Sequence, residues 1–152
     1  MAAPFPLPAP MRRALELALR AQEAEEVPIG AVVTRDGVII GEGENRNRRD
    51  RDPTAHAEIV AMRAAAAYLE DFRLTGCDLW VTLEPCPMCA GAISHARIAR
   101  LYYGAADPKG GAIEQGPRLF TQPQCLHRPE VYGGLGQADA SALLRDFFAA
   151  RR

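Results

Sequence analysis

The sequence predicts an α/β fold, a three-layer α/β/α sandwich around a mixed central sheet of about five strands. Three observations carry that expectation. Helical and strand-like segments alternate along the chain, which lays helices over a sheet with parallel neighbours. Two β-branched runs near the N-terminus are joined by a tight turn, so part of the sheet is antiparallel. The chain has 152 residues, 48% of them hydrophobic, enough for one buried core without disulfide staples.

The first ten residues, with Pro4, Pro6, Pro8 and Pro10, predict a flexible extended lead-in, followed by a single domain over 11–152. They lack the basic start and continuous apolar core of an export signal, and no apolar run approaches the ~20 residues of a membrane helix. The expected location is cytoplasmic, with no membrane partner. From Met11 to about Glu25 the spacing of Leu15, Ala18, Leu19 and Gln22 predicts a helix, with Ala14 and Leu17 widening its apolar side and Pro28 ending it. Ile29–Thr34 and Val38–Gly41 read as strands joined by the turn Arg35-Asp36-Gly37. The polar, arginine-dense stretch Glu42–Asp52 reads as a loop.

A second helix is expected to open at Asp52-Pro53-Thr54, capped by Asp52 or Thr54, and to run to Tyr68 or Leu69. Asp78–Leu83 is a strand, Met88–Ala96 a third helix and Arg100–Tyr103 a short strand closed by Gly104. The Gly/Pro-rich stretch from there to about Pro129 carries no clear periodicity. Asp139–Ala150 is a last helix, striped by Leu143, Leu144, Phe147 and Phe148.

Basic and acidic residues nearly cancel, 18 against 19, and the pI is 6.3. That excludes a protein that grips nucleic acid through bulk positive charge, for which a pI above about 9 is usual. A local patch stays open, and Asn45–Arg51 and Arg151-Arg152 are the places for one. Only Lys109 among the basic residues is a lysine.

Chemistry concentrates in His56-Ala57-Glu58 and Glu84-Pro85-Cys86-Pro87-Met88-Cys89, with Asn45 in the preceding loop. Cysteines at i and i+3 on a helix start can reach one metal ion, and the helix N-terminus favours their thiolates. The pair alone fits redox chemistry or simple packing as well. His56 tips the balance, because helix starts that follow adjacent strands cluster at one sheet edge. His56, Cys86 and Cys89 would leave one tetrahedral position open, as catalytic zinc requires. Cys77 belongs at the far end of its strand, whereas Cys125 stays open as a fourth ligand; packing is the plainer role for both. Hydrolysis at a metal-activated water also needs a proton carrier, and Glu58 is the candidate. Placed in the first helical turn, two residues from His56, it would face the same site.

The H-A-E and P-C-P-M-C segments match the H-x-E…P-C-x-x-C signature of zinc nucleobase deaminases, whose residue roles are already known. Together with Val27–Val32, Asp52–Ile59, Thr82–Cys86, Gly104–Lys109 and the Phe-Phe of the last helix followed by arginines, the chain resembles the bacterial tRNA-specific adenosine deaminases over Met11–Arg152. That resemblance implies a cytidine deaminase-like fold, one zinc per subunit, a homodimer, and conversion of adenosine to inosine at the wobble position of a tRNA anticodon. It implies zinc on His56, Cys86 and Cys89, and a proton shuttle at Glu58. Asn45 would hydrogen-bond the flipped nucleotide, and Pro28 and Ile29 would wall its pocket. Asp107, Lys109, Phe147, Arg151 and Arg152 would touch flanking nucleotides. DNA is not an expected partner. The chain departs from the family pattern at Leu126-His127, where Asn often precedes the histidine, and over Gly110–Pro123. Two other readings use the same zinc signature: deamination of a free base or nucleoside such as guanine, and a non-catalytic zinc-containing subunit.

Overall fold

In a computed structural model that describes residues 6–151, the chain runs α1 (Ala9–Glu23), β1 (Gly30–Arg35), β2 (Val38–Glu44), α2 (Ala57–Leu69), β3 (Cys77–Leu83), α3 (Pro87–Ala96), β4 (Arg100–Ala105), a 3-10 turn (Leu119–Thr121), β5 (Glu130–Tyr132) and α4 (Gln137–Ala149). Residues 1–5 of the proline-rich lead-in, and Arg152, lie outside the described residues. Helix α1 begins two residues before Met11, because Pro10 falls in the first turn, where its missing N–H has no partner to lose. The Met11 and Arg12 amides close on the Pro8 carbonyl.

The sheet order is β2-β1-β3-β4-β5. Strand β1 pairs antiparallel with β2 and β3, while β3, β4 and β5 run parallel. The mixed five-stranded sheet expected from sequence is thus present. Its fifth strand is the three-residue β5, which lies just past the Gly/Pro-rich stretch, where no element was expected. The β1–β2 turn puts Asp36 at φ 51° and Gly37 at φ 80°, the left-handed pair that matches the twist of a hairpin. Strand β2 continues to Glu44, three residues beyond the expected end, because Gly30–Val33 offers it partners through Glu44.

Helices α1 and α4 cover one face of the sheet, and α2 and α3 the other. The buried side of α1 is Met11, Ala14, Leu17, Ala18 and Ala21, whereas Leu19 is 46% exposed. The apolar stripe is therefore rotated from the one first expected. Helix α2 seats very close to β2. Ala57, Ala61 and Ala65 present only methyl groups, and a Cβ on Gly43 would come within 2.3 Å of the Ala57 carbonyl. That close seat brings the start of α2 beside the starts of α3 and the ends of β3 and β4, the edge where α/β sheets build sites.

Candidate active site

Asp52-Pro53-Thr54 does not start α2. The Asp52 carboxylate accepts the Thr54 amide at 2.8 Å and its hydroxyl at 2.7 Å, forming a local turn. The helix opens at Ala57 and His56 stands at the cap position with extended backbone, φ −71° and ψ 153°. Cys86 caps α3 in the same way, φ −74° and ψ 173°, and Cys89 lies in the first turn. The expectation that His56 lies within the first helical turn is corrected accordingly. The extended cap separates its side-chain direction from the helical spacing, so His56 and Glu58 need not share a helix face.

His56 Nδ1 lies 3.5 Å from Cys86 Sγ and 3.4 Å from Cys89 Sγ. All three donor atoms fall within 4.8 Å of one another. Bonds of about 2.1–2.3 Å to a tetrahedral zinc ion place its ligand atoms about 3.6 Å apart, so this imidazole and two sulfurs fit the ion. Cys77 opens β3, buried at the strand's other end, and Cys125 Sγ lies against Ser94 Oγ at 3.5 Å and the His127 carbonyl at 3.2 Å. Neither joins the cluster, which leaves three donors rather than four among the described residues.

The donors of the cluster shift one another's protonation in opposite directions. Hydrogen bonding from the Cys89 thiol, opposed in part by burial, and then from His56 pulls the Cys86 thiol down to about 4. Its Cys86 partner raises His56, and the Cys86 contact together with burial raises Cys89. Glu58 is 4% exposed, and burial pushes its carboxyl up to about 7. A carboxyl held there can both keep and release a proton near neutral pH.

Asn45 is 5% exposed, and its Oδ1 accepts the Ala57 amide at 2.8 Å, while its backbone N–H donates to the Ile29 carbonyl at 3.2 Å. The carboxamide is thereby oriented with Nδ2 free of any protein partner among the described residues. Pro28 is buried and Ile29 half-buried beside it. Asp107 and Lys109 sit in a tight turn in which Asp107 Oδ1 accepts the amides of Lys109 and Gly110. Phe147 does not offer an open ring: it is 5% exposed, and the Arg151 guanidinium lies 3.5 Å from its centroid. The exposed ring is Phe148, at 48%.

Two buried acids hold these parts: Glu26, which the sequence did not mark, and Glu84, which opens the cysteine segment but had no role assigned from sequence. Glu84, 2% exposed, accepts Asp107 N–H on Oε1 at 3.0 Å. Its Oε2 accepts the amides of Ile113, Glu114 and Gln115 at 3.1, 2.9 and 3.0 Å. One carboxylate next to the cysteine motif thus staples the strap 107–115 over the β3–α3 turn. Glu26, 2% exposed, accepts the Arg48 and Arg49 amides at 3.2 and 2.9 Å and anchors the loop after Asn45. In the sequence Glu84 stands at the end of an apolar strand run and beside the cysteine pair, with nothing local to mark the amides that converge on it.

Residues 8–105 match the sequence profile of the cytidine and deoxycytidylate deaminase zinc-binding region. The chain is 56% identical to the tRNA-specific adenosine deaminase of Agrobacterium fabrum over 142 residues, 93% of each chain. A solved structure from studies of A-to-I editing by tRNA:A34 deaminases superposes with a TM-score of 0.88 at 56% identity, covering 89% of this chain and 98% of that one. Guanine deaminase from Nitrosomonas europaea shares the fold at TM-score 0.82 and 29% identity, covering 98% of this chain and 86% of that one. With the His/Cys/Cys cluster, the buried glutamate and the mixed sheet in place, the chain belongs to the cytidine and deoxycytidylate deaminase family of zinc-dependent hydrolytic enzymes.

Proposed function

We propose that this protein hydrolytically deaminates adenosine to inosine at wobble position 34 of a tRNA anticodon. The observation that carries the proposal is the combination of the metal cluster and buried Glu58 in a chain 56% identical, over almost its whole length, to a tRNA-specific adenosine deaminase. His56 Nδ1, Cys86 Sγ and Cys89 Sγ would hold the zinc ion. When bound, zinc in an open three-ligand site makes a water acidic enough to act as nucleophile near neutral pH.

Glu58 does the proton work. Its carboxylate takes one proton from the attacking water and delivers it to N1 of the purine, then takes the remaining proton from the oxygen added at C6 and passes it to the amine, which leaves as ammonia as the C6 carbonyl forms. Burial serves this role, because a carboxyl at about 7 loses and regains a proton at little cost. Asn45 Nδ2 donates to the extruded nucleoside, and Pro28 and Ile29 wall the base off from water. An anticodon-loop base is already unpaired, so its extrusion costs little. Asp107, Lys109 and Arg151, with Arg152 beyond the described residues, face the flanking nucleotides. Phe147 acts through Arg151 rather than by stacking on a base.

The enzyme works as a homodimer. Support comes from an open groove between α2 and α3, lined by Ile59, Met62, Ala66, Phe72, Ala92 and Ala96, with Phe72 73% exposed. A cytoplasmic location fits four free cysteines and a chain with no described helix long and apolar enough to cross a membrane. Free-base deamination is the second reading, supported by the shared fold with a guanine deaminase. The test compares turnover on an anticodon stem-loop RNA carrying adenosine at its first anticodon position with turnover on free guanine and free adenosine. Conversion confined to the RNA supports the proposal, and equal or faster conversion of a free base overturns it.

A further inference from the structure

The loop that joins β2 to His56 holds four arginines, and the structure sorts them. Arg46 is locked to Asp50, four residues on, through bonds of 2.9 and 3.2 Å. Arg49 is built into the scaffold. Its guanidinium reaches Glu26 Oε2 at 3.3 Å, Glu44 Oε2 at 3.2 Å and the Asn45 carbonyl at 2.6 Å. Asp52, the remaining acid of the loop, is engaged by Thr54 and lies 3.7 Å from Arg63. Arg48 and Arg51 are left exposed, with no ion-pair partner among the described residues. Asp50 therefore neutralises Arg46, and Glu26 and Glu44 from outside the loop neutralise Arg49, which leaves the other two arginines uncompensated.

The loop presents this pair rigidly and at the site. Arg46 N–H donates to the Ala55 carbonyl at 2.9 Å, and Asp52 N–H to the Asn47 carbonyl at 3.0 Å. Asn47 Nδ2 in turn reaches the Asp52 carbonyl at 3.0 Å. Both ends of the closed loop are catalytic neighbours, Asn45 on one side and His56 on the other. Arg51 also holds a left-handed backbone, φ 49°, which an L side chain adopts at a free-energy cost.

We infer that Arg48 and Arg51 form a phosphate-binding rim that guides the RNA strand into the zinc pocket, while Arg46 and Arg49 serve the loop itself. The inference rests on the RNA reading above and deepens it by naming the two cations that contact backbone rather than bases. A net charge of −1 is no obstacle, since only local unpaired cations displace counterions from a strand.

The test is equilibrium binding of a fluorescent anticodon stem-loop RNA to the zinc-loaded protein at several salt concentrations. Wild type is compared with Arg48→Ala, Arg51→Ala and the double variant, with zinc content and melting midpoint confirming that each is folded. Each single change is expected to weaken binding about two- to fivefold, as loss of an exposed ion pair does. The slope of log affinity against log salt should fall by about 0.7 for each arginine removed. A double variant within twofold of wild type, with an unchanged slope, overturns the rim while leaving the RNA reading standing. Wild type that neither binds nor converts the stem-loop overturns both.

Discussion

Replacing Glu84 with glutamine removes one tether and keeps the shape. The side chain is 2% exposed and its two oxygens divide the work, Oε1 taking the Asp107 amide and Oε2 the amides of Ile113, Glu114 and Gln115. A glutamine satisfies the three-amide cluster with its carbonyl oxygen and then turns its NH2 toward Asp107 N–H, donor against donor. Loss of one charge-assisted bond with a stranded amide costs about 1.5–3 kcal/mol. At roughly 2–4 °C per kcal/mol for a domain of this size, the melting midpoint should fall by about 3–12 °C. Gly111 tightens the prediction, since a Cβ there would sit 2.6 Å from the Glu84 carboxyl carbon, so the strap has no slack to rearrange. The assay is thermal unfolding of both proteins at one fixed saturating zinc concentration, because bound metal adds its own stabilisation. Proteolysis of the folded variant should map to 107–115. A midpoint within 1 °C of wild type, with no new cleavage there, refutes the idea that Glu84 holds the strap.

Three further outcomes follow from the same geometry. Glu58→Gln should keep stoichiometric zinc yet lose about 10²–10⁴-fold in turnover, read by metal analysis beside an inosine assay; near-normal turnover removes Glu58 from proton transfer. Gly43→Ala should destabilise by about 1–3 kcal/mol in urea unfolding, because the new methyl meets the Ala57 carbonyl, and an unchanged midpoint contradicts the close seat of α2 on β2. Burial alone would raise Glu26, but the Arg49 and Arg48 amides and the Arg49 guanidinium more than offset it and hold the carboxyl below its ordinary 4.5. Its stabilisation is therefore present above the ordinary value and lost as pH falls below it toward the folded value. Wild type should lose stability on acidification below about pH 4.5 more steeply than Glu26→Gln, and parallel curves would contradict that.

Much of this molecule is readable along the chain because its signals are local. The hairpin follows from Asp36-Gly37, and the alternation of periodic segments predicts the layers. The spacing of Cys86 and Cys89, with His56 one helix and one strand earlier, predicts the cluster. What escaped depends on contacts between distant segments. Strand β5 is three residues long and stays in register through β4, not through any pattern of its own. The Asp52-Pro53-Thr54 turn uses the same residue types as a helix cap, and only the hydrogen bonds at Asp52 distinguish the two. Phe147 and Phe148 are equivalent in composition, and the packing of α4 decides that one is buried and the other exposed. Glu26 and Glu84 are ordinary acids in sequence; only the amides that converge on them mark them as anchors.

The central claim is that a zinc site on His56, Cys86 and Cys89, served by Glu58, acts on adenosine within an anticodon loop. The measurement that reaches it most directly is the ratio of kcat/KM for the adenosine-bearing anticodon stem-loop to that for free guanine and free adenosine, on zinc-loaded protein. Inosine at the first anticodon position, with free bases and nucleosides at least a hundredfold poorer by the ~10²-fold scale of a binding-driven preference, is the expected result. Guanine turned over as fast as the RNA, or an RNA left unchanged, contradicts it.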